Sequence, residues 1–88
     1  MKNLNKGLIA EITGLAIDIQ NAGIGEVIYR ISGAVGAMDI DVYIGGWEQG
    51  KDADLNVYIG LLGQPHYDSP EYAIEKLTEI LTNHAIHA

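Results

Sequence analysis

Cysteine is absent from this 88-residue chain. Its absence excludes disulfide bonds, zinc sites built on thiolates and a cysteine nucleophile, and it agrees with a reducing cytoplasm. A chain of this length buries only about 60 to 65% of its unfolded surface when it folds. We therefore predict a single domain over residues 1–88, cytoplasmic, with a small core that is stabilised by packing.

Basic residues are few and scattered. Five Lys and Arg residues stand against twelve Asp and Glu residues, which gives a net charge of −7. Such a chain repels a phosphate backbone unless its cations gather on one face. They are spread along the sequence, at Lys2, Lys6, Arg30, Lys51 and Lys76. We expect no direct nucleic-acid binding, and attraction instead to a basic protein surface, including one that normally holds nucleic acid.

Long apolar runs and catalytic motifs are also missing. Glu11 and Asp18 interrupt the first apolar segment, which argues against a signal peptide or a membrane span. No Ser/His/Asp arrangement has a recognisable spacing, and Gly23-Ile-Gly25 opens no helix as a phosphate-binding loop would. We expect a protein that is not an enzyme and carries no cofactor.

The histidines offer no metal site by their positions. His84 and His87 lie near the C-terminus and His66 lies in a predicted loop. A metal site needs three or four convergent ligands with supporting partners. We therefore predict no bound metal.

The most informative stretch is Met38-Asp-Ile-Asp-Val-Tyr-Ile44. Its apolar side chains alternate with Asp39, Asp41 and Tyr43, a period of two that is typical of a half-buried strand. Residues 26–32 and 54–62 show similar alternation, and Val27, Tyr29 and Ile31 are predicted to face inward. These segments predict a three-stranded antiparallel β-meander with Arg30 on the same face as the two aspartates.

A helix is predicted on each side of this meander. Residues 4–22 carry an apolar stripe, with Asn3 or Asn5 as the cap and Gly23 as the stop. Gly14 either permits close approach to the sheet or is merely tolerated. The second helix is predicted to start at Pro70, after the cap Ser69, and to run to about residue 83. The predicted fold is α+β: helix, meander, helix, with both helices on one face of the sheet.

This order of elements resembles the double-stranded-RNA-binding domain. That family places lysines at the start of its second helix to grip phosphates, whereas the matching positions here read Ser69-Pro-Glu71-Tyr-Ala-Ile-Glu75-Lys. The resemblance therefore implies the fold, and the acidic helix excludes the activity.

The chain is also similar in type to small acidic phage and prophage proteins, including anti-CRISPR inhibitors of effector nucleases. The similarity rests on size, charge, element order and the acidic segments Met38-Asp-Ile-Asp-Val-Tyr and Asp52-Ala-Asp-Leu. It implies a phage-related inhibitor that blocks a nucleic-acid-binding groove of a host protein by presenting carboxylates to its Arg and Lys residues.

The candidate partner-binding site combines aromatic residues with the two aspartates. Exposed aromatic side chains are common anchors at interfaces, and Tyr43 and Tyr58 are expected to be cross-strand neighbours. Trp47 either folds back over the core edge or projects as an anchor. The alternative is that Asp39 and Asp41 form an ordinary solvated strand face paired with Arg30. The predicted site residues are Asp39, Asp41, Tyr43, Trp47 and Tyr58.

Three functional hypotheses follow. The first is a binding protein that occupies a basic surface of a host partner. The second is a homodimer or larger assembly, formed through the edge of the third strand or through a second apolar face of the first helix that includes Ile9 and Ile17. The third is a small-ligand binder with pockets at its oligomer interfaces.

Overall fold

The computed structural model describes residues 4–85 and confirms the predicted order of elements. Along the chain, one helix precedes the three strands and a second helix follows them: α1 (Lys6–Asn21), β1 (Gly25–Ser32), β2 (Ala37–Ile44), β3 (Leu55–Gly60) and α2 (Pro70–Ala85). The strands form one antiparallel sheet in the order β1-β2-β3. The fold is therefore α+β with a small open sheet, as the sequence predicts.

The core lies between the helices and one face of the sheet. Met38, Ile40 and Val42 of the central strand are fully buried. They belong to the same apolar cluster as Ile12 of α1 and Leu77 of α2. Both helices therefore cover the face to which the apolar side chains of β2 point, and the face that carries Asp39 and Asp41 is left uncovered.

The ends of the helices follow the predicted capping signals. The Asn5 side chain accepts a hydrogen bond from the Leu8 amide at 3.1 Å, and Gly23 adopts a positive φ of 72° after the last turn of α1. Ser69 caps α2 by accepting from the Tyr72 amide at 3.1 Å. Asn3, the other candidate cap, lies outside the described residues. Neither α1 nor α2 is long and apolar enough to cross a membrane.

The inward face of β1 is less covered than the sequence predicts. Val27 and Tyr29 pair with Val42 and Ile40, so they do point to the helix side. Tyr29 is nevertheless 37% exposed and Ile31 is 45% exposed. The reason is that α1 packs on the Val27 end of the strand and reaches Tyr29 through the hydroxyl of Thr13, which donates to the Tyr29 hydroxyl at 3.2 Å.

The outer edge of β3 is partly occupied by the connector to α2. The Asp68 amide donates to the Tyr58 carbonyl at 2.8 Å, and the Gly60 amide donates to the Asp68 carbonyl at 3.0 Å. The Asp68 carboxylate also accepts from the Tyr58 amide at 3.0 Å. β3 ends two residues earlier than predicted, because the chain bends after Gly60 and the Leu62 amide donates to the Gln64 side chain. The connector therefore shields this edge from Tyr58 to Gly60.

The structure also decides between the two interpretations of Gly14. A Cβ at this exposed position would meet no atom within 4 Å, so the glycine is not needed for close approach to the sheet. Because glycine in a helix costs about 1 kcal/mol relative to alanine, we expect Gly14→Ala to raise the free energy of unfolding by about 0.5–1 kcal/mol in urea denaturation.

Gly25→Ala is the matched control for that substitution. A Cβ at residue 25 would lie 2.5 Å from the Tyr43 carbonyl oxygen, so we expect destabilisation there. A loss of stability in Gly14→Ala would contradict the placement of this position in open solvent.

Candidate functional site

The uncovered face of the sheet holds the predicted aspartates. Because side chains alternate along a strand, this face presents Ile28 and Arg30 from β1 and Asp39 and Asp41 from β2. We name it the outer face and define it by eight residues: Glu26, Ile28, Arg30, Asp39, Asp41, Tyr43, Asn56 and Tyr58. At the other end of the strands Gly60 packs against Gln64 and Tyr67, so the connector limits the face there.

The two aspartates are held by a partner from each neighbouring strand. Arg30 of β1 donates to the Asp39 carboxylate at 2.7 Å and lies 3.8 Å from the Asp41 carboxylate. Asn56 of β3 donates its amide to Asp39 at 3.1 Å and to Asp41 at 2.5 Å. The four side chains therefore form one hydrogen-bonded cluster across all three strands, and we name it the outer-face cluster.

The charges within this cluster are unevenly exposed. The side chains of Asp39 and Asp41 are 17% and 16% exposed, whereas that of Arg30 is 66% exposed. The hydrogen bond to Asp39, and then its negative charge, raise the pKa of Arg30 above its ordinary value. The cluster contains two carboxylates and one guanidinium, so its net charge is −1. This negative charge lies on the solvent-facing side of the sheet.

Two large side chains lie beside the cluster. Ile28 is opposite Asp41 and is 37% exposed, and Tyr58 is opposite Asp39 and is 40% exposed. Tyr58 is held by Tyr67, whose ring meets it edge to face at a centroid distance of 4.8 Å. Tyr58 is thus a predicted site residue with a fixed ring. Ile28 lies on the face that the helices leave uncovered, but it was not among the predicted site residues, because that prediction selected acidic and aromatic side chains.

Trp47 and Tyr43 lie at the other end of the outer face. Tyr43 is opposite Glu26, and the Trp47 amide donates to the Glu26 carboxylate at 3.2 Å. Trp47 is 50% exposed. Half of its surface is therefore free for contact, although its backbone is tied to β1.

The loop that carries Trp47 is fastened by two charged side chains. The Lys51 ammonium donates to the carbonyls of Ile44 and Gly46 at 2.7 and 3.2 Å. The Asp54 carboxylate accepts from the Ile44 amide at 2.7 Å. Sequence reasoning missed both contacts, because it placed Lys51 in the loop and Asp54 at the start of the third strand without assigning either side chain a partner. These bonds tie the end of the loop to Ile44 and Gly46, the residues that lead into Trp47.

The expected pairing of Tyr43 with Tyr58 is wrong. The register places Tyr58 opposite Asp39, four residues along β2 from Tyr43, which corresponds to roughly 13 Å along the strand. The predicted site therefore has two ends: Asp39 and Tyr58 lie at one, Tyr43 and Trp47 at the other, with Asp41 between them.

The comparisons with known proteins add no relative. Neither family models, nor curated proteins, nor solved structures match the chain. Within residues 4–85, no three His, Asp or Glu side chains converge closely enough to hold a metal ion. His87 lies outside the described residues. What the outer face offers chemically is therefore charge, hydrogen bonds and aromatic surface.

A third carboxylate at position 56 tests the outer-face cluster. We expect Asn56→Asp to lower the free energy of unfolding by about 1–2 kcal/mol at pH 7, because it replaces a donor shared by two carboxylates with a like charge. Repulsion raises the pKa values of these carboxyl groups in the folded state. The folded protein then takes up protons first as pH falls, so the deficit relative to the parent should shrink towards pH 4.

Urea denaturation at the two pH values measures this change. Asn56→Ser, which adds no charge, is the control and should show a deficit with little pH dependence. An Asn56→Asp deficit that is equal at pH 7 and pH 4 would contradict the arrangement.

Proposed function

We propose that this protein is a non-enzymatic binding protein that uses its outer face to occupy a basic surface of a partner protein. One observation carries the proposal: the sheet face that the helices leave uncovered places Asp39 and Asp41 between exposed Ile28 and Tyr58. An apolar or aromatic anchor surrounded by polar groups is the usual anatomy of a protein interface.

The charge balance favours a basic partner. The chain carries a net charge of −7. Arg30, Lys51 and Lys76 each lie between 2.7 and 3.9 Å from a carboxylate of the same chain. The net negative charge therefore sets the electrostatic potential around the protein, and these three cations are already paired within the chain. A surface rich in Arg and Lys would be attracted to this negative potential and steered towards the protein.

A basic surface of this kind is what nucleic-acid-binding proteins use to hold phosphates. Successive outer-face residues on one strand lie about 6.5–7 Å apart, which is close to the spacing of phosphates along a single strand. The mode of action that we propose is therefore competitive: Asp39 and Asp41 occupy Arg and Lys residues of a host cytoplasmic protein, in the manner of the phage-encoded inhibitors that the chain resembles.

The rearrangement that binding requires is small. Arg30 is the most exposed member of the outer-face cluster, at 66% of its side chain. An incoming guanidinium can share the Asp39 carboxylate with it, since a carboxylate accepts several hydrogen bonds. Asn56 meanwhile keeps both aspartates in place.

Neutralising the two aspartates tests the proposed site. Asp39→Asn with Asp41→Asn keeps the shape and the ability to accept hydrogen bonds but removes two charges. We expect capture of the partner from host lysate by the tagged protein to fall at least about tenfold, since charge-assisted bonds lose much of their strength. Added duplex oligonucleotide should release the captured partner from the parent protein.

The matched control neutralises two exposed carboxylates on the helices, Glu11→Gln with Glu75→Gln. It should capture the partner like the parent, and thermal unfolding should show that both variants are folded. Equal capture by the two variants, or a partner that oligonucleotide does not release, would contradict the proposal.

Trp47 is the second test. We expect Trp47→Ala to weaken binding of the captured partner by at least about tenfold, as truncation of an aromatic anchor commonly does. Tyr72→Ala on α2 is the control, because Tyr72 is also an exposed aromatic residue, at 41% against 50% for Trp47. Titration by isothermal calorimetry measures both, and a loss as large for Tyr72→Ala would place the contact elsewhere.

A further inference from the structure

The outer edge of β1 has backbone groups that face away from the sheet. The Val27 amide donates to the Gln20 side chain at 2.9 Å, so the peptide groups of residue 27 point outward from β2. Because this direction alternates in an antiparallel ladder, those of Tyr29 and Ile31 point outward as well. Within residues 4–85, neither the Tyr29 amide nor the Ile31 amide has a hydrogen-bond acceptor.

The two edges of the sheet are therefore different. On β3, Asp68 occupies the outward peptide groups of Tyr58 and Gly60. On β1 the outward groups lie beside exposed apolar side chains, since Ile28, Tyr29 and Ile31 are 37%, 37% and 45% exposed. Neither lysine nor proline interrupts β1, although these are the residues that commonly discourage pairing at an edge.

We propose that the β1 edge binds a second copy of this chain, with the two β1 strands antiparallel across a twofold axis at Ile28. The pairing joins the two sheets into one sheet of six strands. It uses the β1 side of the outer face, at Glu26, Ile28 and Arg30, and leaves Asp39, Asp41 and Tyr58 uncovered, so it does not rest on the partner-binding function proposed above.

The sequence of β1 is self-complementary in this register. Glu26 lies opposite Arg30 of the second copy and Arg30 lies opposite its Glu26, while Ile28 meets Ile28 at the axis. Cross-strand pairs of opposite charge and apolar pairs both stabilise a sheet. Charge complementarity within a single strand is what singles out a second copy as the occupant.

The helix side of the sheet is complementary too. There Val27 lies opposite Tyr29 of the second copy, next to a groove between α1 and β1. The groove has a volume of about 180 Å³ and is lined by apolar surface of Ala16, Ile17 and Val27. Ile17 is 51% exposed, and the second tyrosine ring would cover it.

The neighbouring registers are poorer. An axis at Arg30 places two guanidinium groups opposite each other, which destabilises a strand pair. An axis at Tyr29 places Glu26 opposite Ser32 and Arg30 opposite Ile28, so both ion pairs are lost. Of these three axes, only the one at Ile28 places the opposite charges of β1, Glu26 and Arg30, across from each other.

Gln20 must give way when the second copy binds. In the monomer the Gln20 side chain accepts a hydrogen bond from the Val27 amide. In the dimer the Val27 amide donates instead to the Tyr29 carbonyl of the other copy. Gln20 is exposed and is free to turn to solvent. We expect Gln20→Ala to strengthen dimerisation about fivefold, because one competing hydrogen bond is removed.

Cysteine cross-linking reads the register directly. Ile28 sits at the axis in a pair that is not hydrogen-bonded, where the two Cα atoms lie about 4.5 Å apart, within the range that a disulfide bridges. The chain has no other cysteine, so Ile28→Cys introduces a single thiol. With oxidised glutathione we expect a covalent dimer from Ile28→Cys and little from Tyr29→Cys or Val35→Cys.

Light scattering supplies the second measurement. We expect a mass that rises with concentration from 9.5 kDa to twice that value. Ile28→Lys should weaken the dimer at least about tenfold by placing two like charges at the axis. Val35→Lys, at a more exposed apolar position in the turn (46% against 37% for Ile28), should not weaken it.

Three outcomes would overturn the inference. The first is a mass of 9.5 kDa at every concentration up to the millimolar range. The second is more covalent dimer from Tyr29→Cys than from Ile28→Cys. The third is a dimer that Ile28→Lys and Val35→Lys weaken equally. In the folded monomer Ile28→Lys places an ammonium opposite Asp41 on an exposed face, so we expect the variant to fold, and thermal unfolding checks that it does.

Discussion

The alternation of side chains along β2 is the constraint on which the rest of the structure depends. β2 is the central strand, so its backbone is hydrogen-bonded on both sides and its residues can face only the two sheet surfaces. Met38, Ile40 and Val42 are buried on one of them, which requires both helices on that side. Asp39 and Asp41 must then lie on the other. A single strand thus separates the core from the outer face.

The outer-face cluster ties the proposed site to the integrity of the sheet. Two carboxylates on one strand repel each other unless neighbours compensate. Arg30 on one flank supplies charge and Asn56 on the other supplies an amide shared by both aspartates. The carboxylates are therefore held in fixed positions before a partner arrives, which reduces the entropy lost on binding. The same bonds stabilise the pairing of β2 with its two neighbours.

The connections determine which edge of the sheet is free. The connector from β3 to α2 turns back, and its Asp68 bonds the outward peptide groups of Tyr58 and Gly60. The turn into β1 is short and comes straight from α1, so within residues 4–85 only Gln20 bonds to the β1 edge. An exposed edge is open to pairing, and in a domain this small one more strand pair adds appreciably to the buried surface.

The sequence by itself determined the element order, the cap at Ser69 and the two faces of β2, because capping and side-chain periodicity are local properties. It also placed Arg30 with the aspartates, since short strands joined by a turn have few registers. Only the tertiary structure decided that Tyr58 lies opposite Asp39, far from Tyr43, because register across a long loop depends on packing of the whole sheet. The exposure of Trp47 and the free edge of β1 were decided there too, since both depend on how distant segments cover one another.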